Sequence, residues 1–395
     1  MDRRPGTPSL LRELNDRAAL ELLLTGGPLT RAQLGEHTGL SKVTASQLLS
    51  RLEERGLVTV AGELAGGRGP NAALYAVVPS SAYVAGMHVD LDEVSAGVAD
   101  ITGNVVADVS VNPNTTQDPV ELVRGTIVTA CASAGISPES LRAFVIGTPG
   151  VLDPRTGDQR LAVNLPAWHE GVLAALRSEL GWPVTLENDV NLAAMAERAV
   201  GAAADVDDFV LVWAGVGVGL ATILGGRLHR GVGGAAGEIG YLPVPGVPLP
   251  KDVTHPDTGA FQSLVGGQAV LRLAARHGFE ALTPDAAVTA ALAAAAAGDQ
   301  RGGEFVSELA LRVAMGVAAI AVVLDPGLVV LGGDVGRAGG MELASRVEAE
   351  VGRICPAHPQ VVSTTVTGGP VLRGAILAAV DQARATLLDS VAAPV

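Results

Sequence analysis

Leucines recur at three- and four-residue intervals through residues 9–24, a pattern that predicts an amphipathic helix ended by Thr25-Gly26-Gly27-Pro28. A second, short helix is expected from Thr30, its cap, to His37. Gly39-Leu40 then makes a turn, and Ser41 caps a third helix running to about Arg55, with Val43, Leu48, Leu49 and Leu52 as its apolar face and Gly56 at its close. From here the period shortens to two. Leu57–Val60 and Ala73–Val78 read as strands joined by a polar, glycine-rich loop carrying Arg68. Helix, turn, helix and a two-stranded wing form one unit over residues 1–80.

The pattern changes after Pro79. Tyr83–Val89, Val94–Asp100 and Val105–Val111 are three strand-like runs, the last two joined at Thr102-Gly103-Asn104. Residues 118–134 are predicted as a helix, 143–146 as a buried strand, 168–180 as a helix and 183–186 as a strand, which leads through Glu187-Asn188-Asp189 into a helix over 192–200. A second half repeats the scheme, with strands over 209–213, 220–224, 328–331 and 361–366. Its helices are expected over 267–276, 285–297, 304–324 and 341–351. A closing helix covers 374–388. Strand meanders followed by helices, twice over, predict an α/β protein of two similar lobes with a cleft between them, residues 81–200 and 201–373, the C-terminal helix (374–395) returning to the first lobe.

One stretch carries unusual glycine density: Trp213 to Tyr241 holds Gly215, Gly217 and Gly219 alternating with valine, then Gly237-Glu238-Ile239-Gly240. Glycine lets a backbone turn sharply and approach a ligand closely. Two readings stay open from the residues alone, a hairpin whose glycines serve packing and the floor of a polar pocket. Asn188 and Asp189, at the carboxyl end of a strand and the start of a helix, occupy the kind of turn where α/β sheets bind ligands, and they also suit helix capping.

Composition narrows the class. The chain has 395 residues, 48% hydrophobic and 17% charged, too long for one ordinary core. No apolar run of membrane-spanning length stands out, and the polar start MDRRPGTPSL is unlike a secretory signal, so the expected location is the cytoplasm, with no membrane partner. Cys131 and Cys355 match no CxxC pattern; a disulfide framework and a cysteine zinc site are both unexpected. Net charge is −14. The first 80 residues hold nine basic and eight acidic side chains, a net +1, which leaves −15 on the remaining 315. Phosphates would be repelled everywhere except at the head. There, Ser41, Lys42, Thr44, Ser46, Gln47 and Arg51 on the third helix and Arg68 in the wing are the candidate DNA contacts. A helical interaction domain with no DNA role is the alternative.

Six motifs fall in order along the body: Pro149-Gly150-Val151-Leu152-Asp153, Asn164-Leu165-Pro166-Ala167-Trp168, Asn188-Asp189-Val190-Asn191 with Glu197, Gly215–Gly219, Gly237-Glu238-Ile239-Gly240 and Val329–Gly333. Together they resemble the ROK family of repressors, open reading frames and kinases, and the winged head extends the resemblance to the family's transcriptional regulator branch. The resemblance implies a two-lobed actin-like, sugar-kinase (ribonuclease H-like) fold with a hexose in the cleft. It also implies residue roles. Asn188 and Glu238 match sugar-hydroxyl partners, Asp189 matches the base that kinases use, and Gly150 and Asn164 match the pocket edge.

The departures from the pattern matter as much. The resemblance places His88, Asp90, Leu91 and Asp92 where family kinases carry Asp-x-Gly-Gly-Thr, so carboxylates would face a polyphosphate. Gly215-Val216-Gly217 lacks the usual threonine. Tyr241 stands where a sugar- and zinc-binding histidine is expected, the following cysteine run is missing, and Gln262 replaces a glutamate. His255 alone cannot make a zinc site, so no metal and no cofactor are expected. The effector-binding set is then Gly150, Asn164, Asn188, Asp189, Glu238, Tyr241 and Gln262, with Asp189 a vestigial base. The expected function is a sugar-responsive transcriptional regulator, a repressor acting as a homodimer or homotetramer on operator DNA. The alternatives are a sugar kinase with a regulatory head and a DNA binder answering to a protein partner.

Overall fold

The computed structural model describes residues 8–65, 71–90, 93–113, 118–161, 168, 171–255 and 258–391. Arg68, Leu91, Asp92 and Asn164 lie outside these residues.

The head is built from α1 (Pro8–Gly26), β1 (Leu29–Thr30), α2 (Arg31–Thr38), α3 (Lys42–Glu54), β2 (Val58–Leu64) and β3 (Ala72–Val77), its sheet ordered β1-β3-β2. Thr30 and Gln33 form a reciprocal capping box: the Gln33 N–H donates to the Thr30 hydroxyl at 3.3 Å, and the Thr30 N–H donates to Gln33 Oε1 at 2.8 Å. Gly39, at φ +70°, turns the chain between α2 and α3, a conformation that costs glycine nothing. Ser41 caps α3 by accepting the Thr44 N–H at 3.2 Å. One expectation fails here: Val43 is 67% exposed. The buried stripe of α3 is Ala45, Leu48, Leu49 and Leu52, and position 43 falls on the opposite side of a 3.6-residue helix. The two-residue β1 carries no readable period, which is why the sequence does not announce it.

The first lobe comprises β4 (Tyr83–Val89), β5 (Val94–Asp100), β6 (Val105–Val111), α4 (Pro119–Ala134), β7 (Leu141–Thr148), β8 (Val151–Leu152), β9 (Gln159–Leu161), α5 (Val172–Leu180), β10 (Val184–Asn188) and α6 (Asp189–Val200). Its sheet runs β10-β7-β4-β5-β6, an antiparallel meander extended by two parallel strands. The second lobe holds β11 (Phe209–Ala214), β12 (Val218–Leu224), β13 (Arg227–Leu228), α7 (Gln262–Val265), α8 (Gly267–Arg276), α9 (Pro284–Ala296), α10 (Gln300–Leu324), β14 (Leu328–Gly332), α11 (Gly333–Ile354) and β15 (Gln360–Ser363), and its sheet, β13-β12-β11-β14-β15, repeats the same scheme. The chain ends in α12 (Pro370–Val391), which packs on β4, β7 and α6.

α10 corrects the sequence reading on one point, because it is long and apolar enough by composition to cross a membrane. In the fold, 56% of its apolar window is buried, and Phe305, Leu309, Val313 and Val317 form the centre of the second lobe's outer core. That core lies on one face of the second sheet; a separate one under α4 and α5 backs the first sheet. Between the two sheets lies a third, joining α6, α12 and the inner faces, and it continues without a break into the head through Leu20, Leu23, Tyr75 and Ala82.

Close approach makes this middle layer possible. A Cβ on Gly374 of α12 would stand 1.9 Å from the Leu192 carbonyl oxygen, and one on Gly86 of β4 would stand 2.6 Å from the Ile376 backbone nitrogen. Gly374→Ala is therefore expected to destabilise the chain by about 3 kcal/mol, because helix α12 must shift to admit a methyl group. Gly125→Ala, on α4 with no atom within 4 Å of the new Cβ, should instead stabilise by roughly 0.5–1 kcal/mol through helix propensity. Thermal unfolding of the two full-length variants should move in opposite directions.

Candidate functional site

Strands β4, β7 and β10 end level with one another: His88 pairs with Gly147 and Asn188 with Thr148. The carboxyl ends of three parallel strands thus open onto the space between the lobes, the position ligands favour in α/β sheets. Asn188 lies at the last residue of β10, and there it, not Asp189, caps α6. Its Oδ1 accepts the Asn191 N–H at 3.1 Å, and its Nδ2 donates to the Gly150 carbonyl at 3.1 Å. Asn188 and Gly150 are brought together, the amide tying the β7 loop to the start of the helix.

Asp189, the first residue of α6, is half-buried and accepts the Val190 N–H at 2.8 Å. Burial pushes its carboxyl up to about 7, and the nearby carboxylates of Asp90 and Glu238 push in the same direction. Glu238 approaches from the second lobe at the entrance to a 3₁₀ turn, Ile239–Tyr241; burial raises its pKa as well. Two carboxyl groups from different lobes therefore come near enough to interact, and burial shifts both toward the protonated form. Such a pair suits a neutral ligand rich in hydroxyl donors, which supplies what water no longer does.

The neighbouring end of the cleft is acidic. Asp90 follows β4, Asp334 sits in the first turn of α11 and Asp285 in the first turn of α9. Helix N-termini attract anions, and here each already carries its own carboxylate. Asp334 is held above the usual carboxylate range by burial, with Asp285 and Asp90 adding repulsion and Arg337 opposing it. His88 is pulled below its ordinary value by burial against the contrary pull of Asp90, Glu93 and Asp334, so it is neutral near pH 7. Asp285 and Asp334 escaped the sequence reading. An acidic residue after Gly332-Gly333 at a helix start was the available signal for the second.

Two expected effector contacts turn inward. Gln262 is buried, its Oε1 accepting the Val218 N–H at 2.9 Å and its Nε2 donating to the Val216 carbonyl at 3.1 Å. Its amide clamps the glycine-rich turn between β11 and β12. Tyr241 donates its hydroxyl to the Val253 carbonyl at 2.6 Å and so ties its own turn to the segment 251–255. His255 is exposed and bonded to Asp252 at 2.8 Å, and among the described residues no His/Cys/Asp/Glu group is arranged to hold a metal. A separate cavity of about 390 Å³ lies beside Glu187 and Asn188 against Ala378, Asp381 and Gln382 of α12, and neither Asp189 nor Glu238 lines it.

The first turns of α3 present Lys42 and Gln47 as exposed side chains, with Thr44 and Ser46 half-buried. Ser41 and Thr44 are engaged with each other, their hydroxyls 2.9 Å apart. Arg51 does not join this set. Its guanidinium grips Asp16 of α1 at 2.9 and 2.5 Å, and the Asp16 side chain is only 9% exposed. It is an internal strut, and a residue on α3 that points at α1 cannot also point at a groove.

Two mirrored five-stranded sheets around a pair of central helices, with a winged helix-turn-helix in front, define a two-lobed protein of the actin-like sugar-kinase class with a DNA-binding type of head. A ROK family profile matches residues 84–379 and a MarR family profile residues 14–69. The chain belongs to the ROK family. The xylose repressor of Bacillus subtilis (strain 168) is 27% identical over 245 residues, which are 60% of this chain and 62% of that protein. The chain thus matches just under two thirds of that relative's length. The DNA-binding transcriptional dual regulator NagC of Escherichia coli (strain K12) is 24% identical over 338 residues, 84% of this chain and 82% of NagC. Among solved structures, a ROK family transcriptional regulator described as a homologue of the E. coli MLC protein superposes with a TM-score of 0.74 at 19% identity, over 97% of this chain and 99% of that one. A ROK family glucokinase from Streptomyces griseus, in complex with glucose and AMPPNP, gives 0.62 at 26% identity over 75% and 98%.

Asp189 makes the site pH-sensitive. Because its folded pKa is raised, its contribution to stability is fullest below the unfolded value near 4 and is lost as pH rises through about 7. Asp189→Asn, which mimics the protonated form, should therefore be more stable than the parent at pH 8 by about 2 kcal/mol, the full linkage being halved for the partial solvent access of this group. The two should converge near pH 4. Urea unfolding at both pH values checks this; equal stability at pH 8 would mean the carboxyl is not strained.

Proposed function

We propose that this chain is a sugar-responsive transcriptional regulator, a repressor, that binds operator DNA through its winged head and is altered by a neutral, hydroxyl-rich effector held between Asp189 and Glu238. The observation that carries the reading is the combination of a complete head with an acidic cleft. Asp90, Asp285 and Asp334 oppose a polyphosphate, so no kinase activity is expected. The names of the xylose repressor and NagC support the same reading. Effector-binding residues in this proposal are Gly150, Asn188, Asp189 and Glu238, with Lys42, Ser46 and Gln47 as DNA contacts. Val43, exposed on the same turn of α3, joins them as an apolar contact of the kind that reads a thymine methyl.

The head is also fixed to the cleft. Arg17 of α1 pairs with Asp389 of α12 at 2.5 Å, and Arg55, at the end of α3, donates to the Ser390 carbonyl at 3.4 Å. A change in lobe placement that moves α12 moves the head. In a homodimer or homotetramer working in the cytoplasm, that alters the spacing of two recognition helices, which a symmetric operator requires to be fixed. The kinase reading keeps one observation in its favour, the position of Asp189; a coupled assay with ATP and a hexose panel is expected to show no turnover.

Duplexes selected in vitro on the full-length protein should bind specifically at moderate salt, and a pentose, hexose or N-acetylhexosamine should weaken that binding. Failure to enrich any sequence would overturn the reading. Lys42→Ala should weaken binding evenly across sequences and reduce the slope of log K against log salt by about 1. Arg51→Ala should instead lower the stability of the head by about 2 kcal/mol, seen as an earlier thermal transition, because it strands the Asp16 carboxylate.

A further inference from the structure

Glu187 directly precedes the two residues proposed to hold the effector, and its carboxylate is shared between the lobes. One oxygen accepts the Asn188 N–H and the Asn191 side-chain amide, both at 2.9 Å. The other accepts Nε and an Nη of Arg230 at 2.8 and 2.6 Å. The Glu187 side chain is 13% exposed and that of Arg230 is 47% exposed, so the pair is shielded on the first lobe's side and wet on the other. Arg230 opens the loop that ends at Glu238. Along that loop, Gly233 accepts a hydrogen bond from Arg160 at 3.3 Å, and a Cβ on Gly234 would stand 1.7 Å from the Leu152 carbonyl oxygen. Val232, just before them, is 97% exposed. The loop thus lies on the β8–β9 hairpin of the first lobe with its backbone, and the Arg230 guanidinium is the loop's own charged group that fastens it there.

Geometry gives this contact work to do. Asp189 and Glu238 repel one another across the cleft when ionised, which favours separation of the lobes. The Glu187–Arg230 pair lies two residues from the first and eight from the second, and it pulls the other way. We propose that this pair is an interlobe latch: Glu187 and Arg230 are positioning residues that hold the loop 230–237 against the first lobe, and so set the lobe placement on which an effector acts. The latch touches no ligand itself. It acts through Asn188, whose backbone Glu187 fixes, and through Glu238, whose loop Arg230 anchors. The inference rests on the reading of the cleft as an effector site that governs the head.

Arg230→Ala removes the pull while leaving the α6 bonds of Glu187 in place. Cys131 and Cys355 are both buried, so cysteines introduced at the exposed positions Asp108 and Leu282 can be spin-labelled selectively in the full chain. Double electron–electron resonance should give a single interlobe distance in the parent and a longer, broader distribution in Arg230→Ala, with Arg230→Lys restoring most of the parent distribution. Amide exchange over 231–237 should quicken by about tenfold in Arg230→Ala, while that of the β4 and β7 cores stays unchanged. An unaltered distance and unaltered exchange in Arg230→Ala would overturn the latch, whatever the DNA result. Binding to the selected duplex distinguishes the two readings: a shifted distance with unchanged affinity upholds the latch and counts against lobe placement as the regulator of the head.

Discussion

Helix α12 can lie flush between the two sheets only because glycine stands at its points of contact, on the helix itself and on the strands it touches. Gly374 meets the backbone of Leu192, Gly86 meets that of Ile376, and Gly147 faces Leu192 and Val371, each at a spacing that would put an added Cβ within 2.7 Å of a neighbouring atom. Such contact makes α12 and the first sheet move together, since a close-packed interface transmits displacement instead of absorbing it. The other end of the same helix, through Leu388 and Val391, shares a core with Leu20 and Leu23 of α1. The head is therefore bonded to a shaft whose near end forms the floor of the cleft's lobe, and it does not hang on a flexible tether.

The cleft's electrostatics follow from where the chain places its carboxylates. Asp189 and Glu238 come near one another, and Asp90, Asp285 and Asp334 gather at the neighbouring end, so any anion entering meets repulsion from several sides. A neutral polyol meets the reverse, because each hydroxyl it donates relieves a carboxylate that burial has deprived of water. In the proposed reading, Asp189 and Glu238 serve a sugar at one end of the cleft, while a different set, Asp90, Asp285 and Asp334, opposes a nucleotide at the other. This contrast separates the proposed regulator from a kinase more sharply than any single missing motif.

Much of the fold was legible because its elements are long and periodic. The three strands Tyr83–Val89, Val94–Asp100 and Val105–Val111 and the helix Gly267–Arg276 agree residue for residue with expectation. At α11 the expected start at Met341 agrees with a break at Gly340, whose φ of +54° and ψ of −156° are not helical; what the glycine pairs 332–333 and 339–340 hide is the short helical segment before that break, from Gly333. The site was harder. Asn188 meets Gly150 and Asp189 lies near Glu238, whereas the side chains of Gln262, Tyr241 and Arg51 are engaged by other partners. Donor and acceptor types are visible in a sequence; direction is not, and a polar group within reach of an unpaired backbone amide or a buried carboxylate is drawn to that partner first.

The glycine-rich stretch resolves into both of the readings open from its sequence. Gly219 lies against Val190, Gly234 against Leu152 and Gly237 against Leu220, so at these positions packing alone demands glycine. At Gly217 an added Cβ would meet nothing within 4 Å, and packing demands nothing there. Gly219 and Gly234 bring the second lobe's backbone onto α6 and the β8–β9 hairpin, on the Asp189 side of the cleft, while Gly237 packs within the second lobe on β12. Gly217 sits in the turn clamped by Gln262. Close contact between the lobes is thus built in beside Asp189, through Gly219 on Val190 and Gly234 on Leu152, which is where an effector would act on lobe placement in the reading proposed above.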